Sequence, residues 1–211
     1  MIALMLLAAA QAVAATPPPQ TAIEAERAFA ADAQKSGQWT AFKAWSAPDA
    51  LMFAPQPVNA HAFLKDRKDP PVAVFWWPGK SFVSCDGGFA VNSGPWVRDG
   101  GKAVGYFTTV WRREGDSWRW IYDGGDGLDA ARGEGGDIKP VIADCHAKPG
   151  AAAPKLTVTP GAKSAAGSSK DGTLHWSWSV TADGARRFTA MLWDGSAHKI
   201  VVDDRVAAPP R

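Results

Sequence analysis

The stretch Val72 to Gly125, VAVFWWPGKSFVSCDGGFAVNSGPWVRDGGKAVGYFTTVWRREGDSWRWIYDGG, constrains the fold more than any other part of the chain. β-Branched and aromatic runs alternate there with turn signals at Pro78-Gly79, Asp86-Gly87-Gly88, Asp99-Gly100-Gly101 and Glu114-Gly115-Asp116. This punctuation predicts four short strands in an antiparallel meander. More than half of the chain's 11 tryptophans fall inside it. The remaining segments therefore have to be understood as the covering of this sheet.

Strand alternation assigns the side chains to faces. In the last strand Trp118, Trp120 and Tyr122 share one face, and Arg119, Ile121 and Asp123 the other. In the strand before it Tyr106, Thr108 and Val110 alternate with Phe107, Thr109 and Trp111. Both faces are partly apolar, so the second face needs a cover: the C-terminal segment, a subunit or a ligand.

Ahead of the sheet the pattern is helical. Thr21-x-x-Glu24 is a capping box, and Ala22, Ile23, Ala25, Phe29, Ala30 and Ala33 give an apolar stripe that stops at Gly37. A second helix over Trp39 to Ala47 presents Trp39, Phe42 and Trp45, then a short strand covers Asp49 to Ala54. Asn59 is placed to cap a third helix, Ala60 to Lys68. Helices followed by a meander make an α+β pattern.

Behind the sheet, Gly124 to Gly136 is glycine-rich and acidic and reads as a flexible loop. It lacks the G-K-[ST] ending of a phosphate loop, and its acidic residues match no calcium-loop register. Residues 148–170 read as a Pro/Ala/Gly/Ser-rich linker carrying one short strand, Lys155 to Thr159. A second β-meander follows over 171–206, turned at Asp183-Gly184 and Asp194-Gly195. It lines up with the first meander by its turn signals, as a degenerate repeat or as two uses of the same hairpin grammar.

Residues Met1 to Ala15, MIALMLLAAAQAVAA, read as a signal peptide with small residues at Ala12-Val13-Ala14, which places the mature protein in the periplasm or outside the cell. The apolar run is shorter than the about 20 residues a membrane span needs. Cys85 and Cys145 then lie in a disulfide-permissive compartment, either paired or as buried free thiols. Their context suggests no metal or redox motif, and the four dispersed histidines make no metal site. No cofactor is implied. With 23 basic and 21 acidic residues interspersed, no Lys/Arg stripe is available to displace counterions from nucleic-acid phosphates.

Taken in order, AERAFAADAQKSGQWTAF (Ala25 to Phe42), the DALMF strand, Trp77-Pro78, NSGPW (Asn92 to Trp96), TTVWRR (Thr108 to Arg113) and W-x-W-x-x-D-G-G (Trp118 to Gly125) are similar to the nuclear transport factor 2-like superfamily, in its exported SnoaL-like branch. The resemblance covers about two-thirds of the mature chain and stops before Lys148. It implies a cone-shaped domain over 21–147, in which a curved antiparallel sheet wraps around the N-terminal helix and encloses an apolar pocket. The candidate lining is Phe29, Trp45, Met52, His61, Trp77, Trp96, Tyr106, Trp111, Trp120 and Tyr122. Ketosteroid isomerase, in this superfamily, carries its general-base aspartate just before a proline at the end of the short strand. Ala54 stands there, before Pro55.

Three functions fit these observations. The leading one is binding of a small, largely apolar molecule in the pocket. A second is an isomerase, dehydratase or cyclase whose replacement acid or base is Asp49, His61 or Asp123, with Tyr106 or Tyr122 as a donor. Each of these residues also has a plainer role, as turn, cap, rim or core. The third is a homodimeric interaction module using the aromatic face of the sheet, with the cone filled by its own side chains.

Overall fold

In the computed structural model, which describes residues 20–150 and 159–210, the chain is α+β with two separate sheets. The expected signal peptide lies outside the described residues. Helix α1 spans Ala22–Ser36, and its capping box is complete: Thr21 Oγ1 accepts from Glu24 N at 3.1 Å, and the Glu24 carboxylate accepts from Thr21 N at 3.1 Å. Gly37, at φ 107°, ends it, and a side chain there would collide with the Asp69 carboxylate. That carboxylate accepts from Trp39 N, Thr40 N and Thr40 Oγ1 and so caps helix α2, Gln38–Trp45. Helix α2 is shorter than expected because Ser46 already belongs to strand β1, Ser46–Ala54.

Strand β2, Gln56–Asn59, forms despite Pro57 because it is an edge strand, where a missing N–H costs no ladder bond. Asn59 caps helix α3, Ala60–Leu64, accepting from Ala62 N at 3.0 Å. This helix ends four residues before the expected Lys68.

The meander has five strands instead of the four expected, since four turns separate five strands: β3 (Phe75–Trp76), β4 (Lys80–Val83), β5 (Phe89–Arg98), β6 (Ala103–Glu114) and β7 (Ser117–Leu128). Strand β8, Val141–Ile142, completes the sheet, whose order is β2-β1-β7-β6-β5-β4-β8, with β3 also on β5. It is a curved mixed sheet, not the antiparallel one expected. β1 runs parallel to β7 and β8 parallel to β4. Both exceptions join strands that are distant in the chain, where no tight hairpin dictates an antiparallel pair. β7 also extends through Gly124–Leu128, residues whose composition reads as loop.

The C-terminal sheet is antiparallel, in the order β12-β11-β10-β9. Its strands are β9 (Lys163–Ser168), β10 (Leu174–Val180), β11 (Arg186–Trp193) and β12 (His198–Val206). β9 lies within the stretch read as a linker. The strand expected at Lys155 to Thr159 falls outside the described residues except for Thr159, which is in no strand. The order β7-β6-β5-β4 of the first sheet repeats in β12-β11-β10-β9, and so does its turn chemistry. Ser84 Oγ donates to Asp86 Oδ1 and accepts from Phe89 N; Ser169 Oγ donates to Asp171 Oδ1 and accepts from Leu174 N. These two turns dock on each other reciprocally, Asp86 N donating to Asp171 Oδ2 at 2.7 Å and Asp171 N to Asp86 Oδ2 at 3.2 Å.

Two cores result. On the helix side, Phe29 is the hub, with ring centroids 4.8 Å from both Phe42 and Trp76 and 6.0 Å from Trp111. Between the sheets, Val91, Val110 and Tyr122 pack with Leu174, Phe188 and Leu192. The second apolar face of the meander is thus covered by the C-terminal sheet. A Cys85–Cys145 disulfide, spanning 60 residues, ties β8's exit to the turn after β4. In the chain-entropy picture a loop of that length contributes about 4 kcal/mol.

Candidate functional site

One extra residue decides what the end of β7 presents. In the β6–β7 ladder Val110 pairs with Tyr122 and Trp111 with Trp120, which leaves Ile121 unpaired as a β-bulge. Trp118 and Trp120 face the helices, as alternation predicts. Past the bulge the faces exchange. Tyr122 turns into the inter-sheet core, 4.5 Å from Phe188 and 5.6 Å from Phe53 between ring centroids. Asp123 turns to the helix side, opposite Thr109, whose Oγ1 donates to Asp123 Oδ2 at 3.2 Å.

At the same point the sheet splits. β1 accompanies β7 only to the pair Leu51–Tyr122 and then bends away to β2, so from Asp123 onward no described strand flanks β7 on that side. The split opens into a cavity of about 280 Å³. Its apolar walls are Trp39 and Phe42 of α2, Met52 and Phe53 of β1, and Trp76, Trp96 and Phe107 of the meander. Gly105 lets the Trp96 ring lie flat on β6, where a Cβ would sit 2.3 Å from the ring. Polar groups are few: Gln38, Arg98, Tyr106, Asp123, Asp126 and, from the C-terminal sheet, Arg186.

Asp123 is a cavity carboxyl with an abnormal proton affinity. Burial pushes its pKa up to about 8, and the charge of nearby Glu26 pushes the same way. Glu26, fully buried on α1, is raised to about 7 by burial against the opposing effect of three donors. These are Trp111 Nε1 at 2.7 Å, Trp76 Nε1 at 2.9 Å and Asn92 Nδ2 at 3.3 Å. Asn92 Oδ1 has no hydrogen-bond partner. Burial also raises the Tyr106 phenol to about 12, with Asp204 and Asp126 adding to the shift. Near pH 7 the cavity therefore presents a neutral carboxyl at Asp123 and a neutral phenol at Tyr106, both able to donate.

Of the expected lining, Met52, Trp96 and Tyr106 reach this cavity. Phe29, Trp111 and Trp120 do not, because they are fully buried as the helix-side core itself. Trp45 donates to Asp32 Oδ2 and Trp77 to the Glu134 carbonyl, which holds both indoles away from the cavity. Tyr122 is removed by the bulge. His61 pairs with Ser46 Oγ at 3.0 Å, and Asp49 forms a bidentate ion pair with Arg112 that holds its carboxyl below the usual range. Among the three carboxylate and histidine candidates, Asp123 alone lines the cavity.

Sequence reasoning passed over Glu26 and Arg186. Glu26 carries a legible signal, since it lies on the apolar stripe with Ala22, Phe29, Ala30 and Ala33, where an acid needs internal partners. Arg186 carries none, because it comes from a different sheet.

No family model matches the chain, and no curated protein matches it. It is similar to a solved structure from Novosphingobium aromaticivorans named as a "putative aromatic ring hydroxylase", at 14% identity and a TM-score of 0.36, the match covering 52% of this chain and 87% of that one. Among the described residues no helix is long and apolar enough to cross a membrane.

Proposed function

We propose that this is an exported nuclear transport factor 2-like protein of the SnoaL-like kind, whose helices and first sheet form a cone and whose cavity binds a small, largely apolar molecule. The observation that carries the reading is the split between β1 and β7, an aromatic-walled space into which a neutral carboxyl, Asp123, projects. Mostly apolar walls with a few placed polar groups are the physical character of small-molecule sites. Export is supported by the apolar leader and is compatible with the Cys85–Cys145 disulfide.

A second reading, an isomerase, dehydratase or cyclase, is favoured by one further observation. Asp123 and Tyr106 line the same cavity, so a proton donor and a titratable acid face one space. The homodimer reading is weaker, since the sheet face it would use is occupied by the C-terminal sheet.

Native mass spectrometry of the mature protein, purified without added ligand, tests the binding reading. We expect a co-purifying apolar adduct that is lost in Gly127→Phe. Gly127 lines the cavity with only the Val104 carbonyl near its would-be Cβ, so the phenyl ring fills the space without displacing backbone. An adduct that persists in this variant would contradict binding in the cavity.

A further inference from the structure

Among the described residues, Arg186 is the one cavity residue contributed by the C-terminal sheet, and no ion pair cancels its charge. Its guanidinium donates to the Gly125 carbonyl and lies 5.3 Å over the Phe53 ring, yet no described carboxylate stands within ion-pair distance. The other arginines of the C-terminal sheet behave differently, Arg187 and Arg205 both pairing with Asp203. Arg98, also on the cavity wall, is paired with Asp99 at 3.3 Å. A half-buried guanidinium has five N–H donors, and the backbone bond uses one of its nitrogens.

The acidic groups around it do not supply the missing partner. Asp126 shares the wall, but its Oδ1 accepts from Gly127 N, and Asp204 is engaged by Thr108 Oγ1 at 2.6 Å. Asp123 lies two residues along β7 from the Gly125 carbonyl that Arg186 bonds; the guanidinium charge reaches it and opposes its raised pKa, but the two form no ion pair, and Asp123 accepts from Thr109. An unpaired arginine beside an aromatic-walled space is a receptor for a planar anion, because a carboxylate matches the guanidinium fork and aromatic walls match a flat ring. The volume of about 280 Å³ accommodates one or two fused rings.

We propose that the cavity selects a monoanionic carbocyclic acid, its carboxylate held by Arg186 and its ring seated between Trp39, Phe42, Phe53 and Trp96. This assignment rests on the binding reading above. It also gives the C-terminal sheet a part in the site, since β11 supplies the guanidinium that receives the anion.

The probes are 2-naphthoate and its neutral isostere 2-naphthamide, titrated at pH 7 by tryptophan fluorescence against the mature full-length chain. We expect the wild type to prefer the carboxylate by about tenfold or more, and Arg186→Gln to reduce the ratio to about one while still binding the amide. Arg186→Lys keeps the charge but not the fork and is expected to fall between them, which preserves the test should the glutamine variant fail to fold. Equal wild-type affinity for the two probes, or an undiminished ratio in both variants, would overturn the anion receptor and leave the cavity reading standing. If neither probe binds the wild type, the cavity reading falls and the receptor with it.

Discussion

At the scale of single residues, the chemistry of the site depends on how firmly Asp123 holds a proton. Its folded pKa, near 8, lies above the ordinary carboxylate value, and so does that of Glu26, near 7. Both groups bind protons more tightly folded than unfolded. Their contribution to stability is therefore complete only below about pH 4 and is lost as pH rises from there toward 8. Asp123→Asn removes the Asp123 part of this loss while keeping an acceptor for Thr109. We expect the variant to match the wild type near pH 4 and to exceed it at pH 9 by at least about 1 kcal/mol, roughly 2–4 °C in Tm. Parallel melting curves at both pH values would mean that Asp123 is ionised like a surface carboxylate. The sequence shows that an aspartate is present, but not its state, because the groups that act on it, Glu26 of α1, Thr109 of β6 and Arg186 of β11, are distant in the chain.

At the scale of elements, local signals were legible and register was not. Thr21, Gly37 and Asn59 carry their caps in their own side chains and backbones, and the structure uses all three as expected. The Asp-Gly turns are likewise local. The Ile121 bulge has no local signature. It depends on Trp120 and Tyr122 each finding a different core, and without it the two would share a face. β9 was missed for a related reason: Lys163–Ser168 is small and mostly exposed, and becomes a strand only because β10 offers a ladder. Deleting Ile121 makes Trp120 and Tyr122 neighbours, so plain alternation keeps Trp120 toward the helices, Tyr122 between the sheets and Asp123 opposite Thr109. We expect the deletion to preserve both cores and to cost at most about 3 kcal/mol in denaturant unfolding, through lost strand twist and Ile121 packing, against about 1 kcal/mol for Ile121→Val. A deletion variant that fails to fold would contradict the reading of Ile121 as the extra residue.

At the scale of the whole molecule, the α+β class and the two meanders could be read from alternating strands and turn residues, while their relation could not. That the second sheet packs on the first instead of extending it follows from which faces are left apolar, and from the reciprocal Asp86–Asp171 docking and the disulfide. The cavity belongs to this scale too. It draws on α2, β1, β7 and β11, and exists because β1 leaves β7 at Tyr122. The most direct test is an NMR titration of the labelled protein with 2-naphthol, a neutral probe of the right size. Ligand binding in the split predicts saturable shifts at the amides of residues 123–127 and at the indole N–H groups of Trp39 and Trp96. No saturable shift, or shifts confined to the crevice beside Trp176 and Trp178 between the sheets, would contradict it.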